Sequence, residues 1–122
     1  MSEARIIKIN EIPWKKLKAD YCDVPLYDRP LVSDPDTGMC INISKYEKGF
    51  NLEWHTHSCA HGMYILKGKM RTSIGVAEPG DFVWFPAGME MEHGATVEED
   101  CEYIFITNRP FDIQYVRDKD QK

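Results

Sequence analysis

Residues 55 to 61 read HTHSCAH, so three of the chain's four histidines fall within seven residues. Imidazole is a common metal ligand and titrates near neutrality, so such a cluster can hold a metal ion or move protons. On an extended strand, residues two apart project to one face at a spacing of about 6 to 7 Å. That geometry aims His55 and His57 at a common point. His61 comes four residues later, at the start of a following strand after a tight SCA reversal, where it can close a third side. The fourth histidine, His93, follows a PAG turn. An HxH pair alone is weak evidence, because surface histidines also cluster by chance, so the case for a metal rests on the residues around it.

Such side chains need short extended segments to hold them. The runs MCINISKY, FNLEWHTH, MYILKGKM, TSIGV, FVWF, HGATV and CEYIFIT are separated by the turn signals DPDTG, EKG, EPGD, PAG and EED. Each run is long enough for a strand and too short for a helix. RIIKI near the start alternates weakly, and in MCINISKY Met39, Ile41 and Ile43 share a face. WKKLKADY has the pattern of a turn or two of helix, and the prolines of the following DVPLYDRP argue against regular structure through it. The terminal RDKDQK has no apolar residue to anchor it and is expected to fray. The fold class is therefore all-β, and antiparallel sheets this short protect their edges by closing into a small barrel or packing as a jelly roll.

A chain of 122 residues is one domain able to bury a core without staples. With 43% hydrophobic and 29% charged residues it has a soluble globular composition, and its net charge of -5 argues against nucleic acid or an anionic membrane as partner. No run is apolar enough for a signal segment or a membrane span, and a cytoplasmic location is expected. Cys22, Cys40, Cys59 and Cys101 form no C-x-x-C pair and are expected to be free thiols.

Read outward from the histidines, GFNLEWHTHSCAHGMYILKG from Gly49 to Gly68 resembles the first motif of the cupin superfamily: a glycine, HxH, a glutamate and a second glycine at these intervals. His61 stands where that family commonly has the glutamate. GDFVWFPAG from Gly80 to Gly88 resembles the second motif, a glycine, five residues, P-x-G and then a histidine. In most cupins this histidine is the third residue after the last glycine; here that slot holds Met91, and His93 lies two residues on. A shift of two keeps the same face. Either the turn is longer and His93 is the ligand, or Met91 faces the site with His93 one step above it. Histidine is much the commoner ligand for hard or borderline metals, which favours His93.

The resemblance runs from about Met39 to Thr107 and implies a single cupin domain over residues 1–122, an antiparallel β-barrel or jelly roll with an N-terminal arm (1–38) and a C-terminal tail (117–122). Within the superfamily the chain looks most like the acetylacetone-cleaving dioxygenases and the cupin domain of the ChrR anti-sigma factor. This likeness implies one divalent metal ion held by His55, His57 and His93, with His61 replacing the usual carboxylate. Fe2+ is favoured, and Zn2+, Ni2+, Mn2+ or Cu2+ suit the same donors. Neutral ligands leave the ion its full charge, which suits an anionic chelating substrate such as an enolate, a dicarbonyl or a carboxylate.

Three function classes follow: a dioxygenase-like enzyme on a small dicarbonyl, a non-redox isomerase or lyase on a sugar or keto acid, and a non-enzymatic zinc sensor closed by four histidines. Among further residues, Glu53 shares strand parity with His55 and is either a ligand-orienting partner or a rim carboxylate. Met63, Phe85 and Met91 are expected to line the pocket or pack in the core. Glu90 and Glu92 flank the shifted turn and either reach the site or are solvated. Trp54 and Tyr64 should point outward, against a second sheet or subunit, and a homodimer is expected. Cys59 lies in the metal loop at no known ligand position. Proton competition should weaken metal binding below the ordinary imidazole value of about 6.5.

Overall fold

The computed structural model describes residues 3–18 and 25–117. In chain order its strands are β1 (Lys15–Lys18), β2 (Pro25–Ser33), β3 (Cys40–Tyr46), β4 (Asn51–Thr56), β5 (His61–Lys67), β6 (Met70–Thr72), β7 (Gly75–Ala77), β8 (Phe82–Phe85), β9 (Met91–Ala95), β10 (Cys101–Thr107) and β11 (Gln114–Tyr115). They form two antiparallel sheets, one ordered β1-β2-β3-β10-β5-β8 and the other β11-β4-β9-β6-β7. The chain crosses repeatedly between the sheets, so a loop such as SCA carries HxH in one sheet and His61 in the other.

Between the sheets, Phe50, Met63, Ile65, Met70, Phe85 and Met91 form the centre of an apolar core, with Tyr46 and Tyr103 at its margin. Met63, Met70, Phe85 and Met91 are fully sealed from solvent. FVWF, expected as a strand, forms β8, with Val83 and Phe85 buried while Phe82 and Trp84 face out. In β3 the face shared by Ile41 and Ile43 is turned away from the cavity. Its polar residues Asn42 and Ser44 line an internal cavity with Tyr46. Ile43 lies in register with Arg29 on the opposite face, where Trp14 sits beneath the Arg29 and Lys45 cations.

The N-terminal region departs most from expectation. RIIKI is not a strand; a single 3-10 turn occupies Ile9–Glu11. WKKLKADY contributes β1 rather than helix, because Lys15 to Lys18 pair antiparallel with Asp28 to Pro25; residues 19–24 lie outside the described residues. DVPLYDRP does not exclude regular structure. Pro25 begins β2, and Pro30 sits where its register against β3 shifts, the positions at which a missing N–H is tolerated. TSIGV is a hairpin between β6 and β7, locked by Thr72 Oγ1, which accepts from Ile74 N at 3.1 Å and donates to Gly75 O at 2.7 Å. Cys40, Cys59 and Cys101 are free thiols; Cys22 and the tail residues 118–122 lie outside the described residues. Among the described residues no helix is long and apolar enough to cross a membrane.

Candidate metal centre

His55 and His57 come from β4 and the residue just past it, and His93 from the middle of β9, its neighbour in the same sheet. The strands are held in place on both sides of the site. After the PAG turn, Gly88 adopts φ +80°, a conformation that favours glycine, and its N–H donates to His57 O at 2.8 Å. Gly94 allows the closest approach: a Cβ there would lie 1.9 Å from Phe50 O. Between these points the register slips, because Leu52 opposes His93 and His55 opposes Met91. Glu53 and Trp54 together face Glu92 alone, which makes a β-bulge.

The bulge decides which side chains turn inward. Leu52, His55 and His93 share the interior face; Glu53 leaves it and pairs with Arg117 Nε at 2.8 Å. Glu53 still orients a ligand, but through its backbone: its carbonyl lies 2.5 Å from His55 Nδ1. His57 Nδ1 bonds the carbonyl of Asp112, and His93 Nδ1 lies 2.9 Å from the Tyr46 hydroxyl. A carbonyl can only accept, so Nδ1 of His55 and of His57 must carry the hydrogen, leaving each Nε2 with its lone pair. The Nε2 atoms of His55 and His93 are buried with no hydrogen-bond partner.

Ligand atoms of His55, His57 and His93 all lie within 4.8 Å of one another. Burial of the three rings holds each imidazole below its ordinary value, His55 at about 4, so all three are neutral at neutral pH. Nitrogen lone pairs that converge in a buried place, without protons to repel a cation, fit a divalent ion of borderline character. Their Nδ1 partners supply the outer hydrogen bonds that fix tautomer and ring orientation at such centres.

His61 is not one of this group. It begins β5 in the opposite sheet, with its ring 4.6 Å from that of His57 and 6.4 Å from that of His93, wedged against Phe85 and Phe105. Both of its nitrogens are buried without a partner, and burial lowers its pKa to about 3. Met91 shares the inward face with His93 but is sealed in the apolar core, as are Met63 and Phe85. Glu90 is exposed, and Glu92 accepts from Asn51 Nδ2 at 3.2 Å, away from the histidines. Trp54 and Tyr64 face solvent. Cys59 is buried, and burial raises its thiol pKa.

His57 and His93 open onto a cavity of about 240 Å³ between the sheets. Leu52, Phe105 and Phe111 make its apolar wall beside the histidines, and Tyr46 and Tyr103 its floor. Phe111 belongs to a C-terminal strap that crosses the site. Its ring lies 5.1 Å from that of His57, Asp112 Oδ1 accepts from Ser58 N at 2.7 Å, and β11 pairs with His55 and Thr56. Tyr46, Leu52, Phe111 and Asp112 were not singled out from the sequence. Alternation in MCINISKY carried a signal for Tyr46, whereas no local pattern marks the Asp112 carbonyl.

The family model described as the ChrR cupin-like domain matches residues 2–112. Among curated proteins none matches the sequence. The fold is similar to that of a candidate acetylacetone dioxygenase from Methylibium petroleiphilum, with 15% identity, 96% of this chain and 85% of that one covered, and a TM-score of 0.81. An RmlC-like cupin protein from Ralstonia eutropha gives 22% identity, coverages of 96% and 74%, and a TM-score of 0.79. The structure of Rhodobacter sphaeroides SigE in complex with the anti-sigma ChrR gives 16% identity, coverages of 82% and 51%, and a TM-score of 0.66. At these identities the structural likeness concerns the fold alone.

Proposed function

The chain belongs to the ChrR cupin-like family, an all-β cupin fold, and on that premise we propose that it is a metal-dependent enzyme acting on a small chelating substrate, with dioxygenase-like cleavage of a dicarbonyl as the chemistry. The observation that carries this reading is that two members of the three-histidine group, His57 and His93, line a cavity from which a further ligand could reach the site. Catalytic metal sites keep such an open position, and structural ones do not. A divalent ion held by His55, His57 and His93 would supply Lewis acidity to substrate oxygens and, if it is iron, the capacity for oxygen chemistry.

The remaining work falls to the chain. The Glu53 and Asp112 carbonyls and Tyr46 hold the imidazoles with their Nε2 atoms inward. Leu52, Phe105 and Phe111 exclude water from one side of the substrate. Neutral donors leave the ion's charge for an enolate or a carboxylate to meet.

One observation favours a second reading. His61 has both nitrogens buried without a partner and its ring 4.6 Å from that of His57, and as a fourth donor it would close a tetrahedral zinc site of binding or sensing type. Elemental analysis of protein purified without chelator separates the two, combined with oxygen uptake after anaerobic iron loading in the presence of acetylacetone and other small β-dicarbonyls. Partial iron occupancy and substrate-dependent oxygen consumption would support the oxygenase. Stoichiometric zinc that resists exchange, with no oxygen uptake, would move the reading to the closed site.

A further inference from the structure

The histidines occupy one wall of the cavity, and the opposite sheet supplies a different chemistry. Asp28 on β2 and Ser44 on β3 are in register and both line the cavity, with Asn42 two residues further along the same face. Ser44 Oγ donates to Asp28 Oδ1 at 3.2 Å. Lys15 lies in register with Asp28 on β1 and its charge favours the ionised carboxyl, but among the described residues no cationic side chain comes within ion-pair distance of it. Lys45, the other charged lining residue, has its ammonium 4.7 Å from the Tyr27 ring centre and 5.1 Å from that of Trp14, so its charge is engaged on aromatic faces. Around Asp28 the walls are apolar, Leu17 and Leu26 among them. Burial raises the Asp28 pKa from its ordinary value.

A carboxylate offers about four acceptor sites, and the Ser44 hydroxyl and the Arg29 backbone N–H fill only part of them in half-buried Asp28; leaving the rest unmet in a largely apolar cavity is costly. A ligand that brings a donor recovers the cost, and one that brings a second carboxylate adds repulsion to it. The cavity, at about 240 Å³, is smaller than the sites of about 300 Å³ and above that hold drug-sized molecules. One small molecule can therefore touch both walls.

We propose that Asp28 is a specificity-determining residue, and that the substrate is a small molecule with two unlike ends: oxygen donors that chelate at His55, His57 and His93, and a hydroxyl or ammonium group that donates to Asp28. The proposal rests on the reading of the three histidines as a metal centre, because the metal fixes which end of the substrate is held there. It narrows the substrate class. A chelator with a plain alkyl tail binds less well, and a dicarboxylate-like molecule is rejected at its far end.

The test uses a matched series of stable chelators, pentanohydroxamate, butanohydroxamate with a γ-hydroxyl or a γ-ammonium group, and the half-hydroxamate of succinic acid, titrated into cobalt-loaded protein and read by the visible spectrum. The hydroxyl or ammonium probe is expected to bind about tenfold or more tighter than the alkyl probe, and the carboxylate probe weakest. Asp28→Asn, which keeps the shape, should erase the ammonium preference and relieve the carboxylate penalty, and Ser44→Ala should sharpen both. An unchanged ranking in Asp28→Asn, or a carboxylate probe that binds as well as the ammonium probe, overturns the proposal.

If cobalt fails to bind, the metal reading falls, and Asp28 is then tested alone by amide shift changes in metal-free protein. Shifts at Asp28 and Ser44 with the ammonium probe and none with the carboxylate probe sustain its role. Equal shifts with both remove it.

Discussion

The partners of the ring nitrogens decide how the histidines behave. Tyr46 is the one side chain among the three Nδ1 partners, so it is the one that substitution can remove. Tyr46→Phe is expected to lower metal affinity about 10- to 100-fold, the usual cost of losing such a partner, as measured by competition with a chromophoric chelator. By the same assay His93→Ala should lose far more metal than Met91→Leu, since Met91 packs in the apolar core; the reverse ranking would remove His93 from the centre. Burial also changes the pH expectation drawn from the sequence. His55 is held at about 4 against an ordinary 6.5, so protons do not compete for it in the folded protein until the pH approaches that lower value. Because burial lowers all three imidazoles, metal affinity should begin to weaken at a lower pH than the 6.5 expected from the sequence. Stability behaves differently. Unfolded imidazoles take up protons below about 6.5 while the folded ones stay neutral. The metal-free protein is therefore fully stable above that pH and loses stability progressively as the pH falls towards 4, which thermal melts along a pH series would record. The HxH pair was legible because strand parity is local. Its orienting partners were not, since Tyr46 and Asp112 lie 47 and 55 residues from the histidines they bond.

Strand positions were legible wherever a short run between turn signals or a turn glycine marked them, as in FVWF and at the PAG turn before β9. Parity failed at Glu53 because a bulge inserts a residue, and nothing in NLEWHT announces it. The N-terminal strands were missed for a related reason. A proline at a strand start or a register shift obeys the ladder without donating to it, but the sequence alone does not tell which prolines are so placed. The β4–β9 contact has one sharply testable point. Gly94 leaves no room for a methyl group against Phe50 O, so Gly94→Ala must push the strands apart. A loss of about 1 to 3 kcal/mol is expected from such overpacking, measurable by urea unfolding, together with weaker metal binding as His93 moves from His55.

At the scale of the whole molecule, the outer face of the six-stranded sheet is the conspicuous surface. Tyr64 and Phe82 lie in register there, with Leu66 and Trp84 beside them, and all four are exposed. We propose that a second copy of the chain covers this face, in keeping with the homodimer expected from the sequence. Sedimentation should then show a dimer that Phe82→Glu dissociates while metal binding persists; a monomeric parent protein would remove the idea. The strap from Phe111 to Tyr115 has a consequence of another kind, in the order of synthesis. The ribosome releases His55 and His57 long before it releases Asp112, whose carbonyl sets the His57 ring, and before β11, which pairs with the strand carrying His55. A nascent chain thus displays its imidazoles with one of them unaimed, and a metal ion held by the three histidines would meet its full set of aimed ligands only after the strap has emerged.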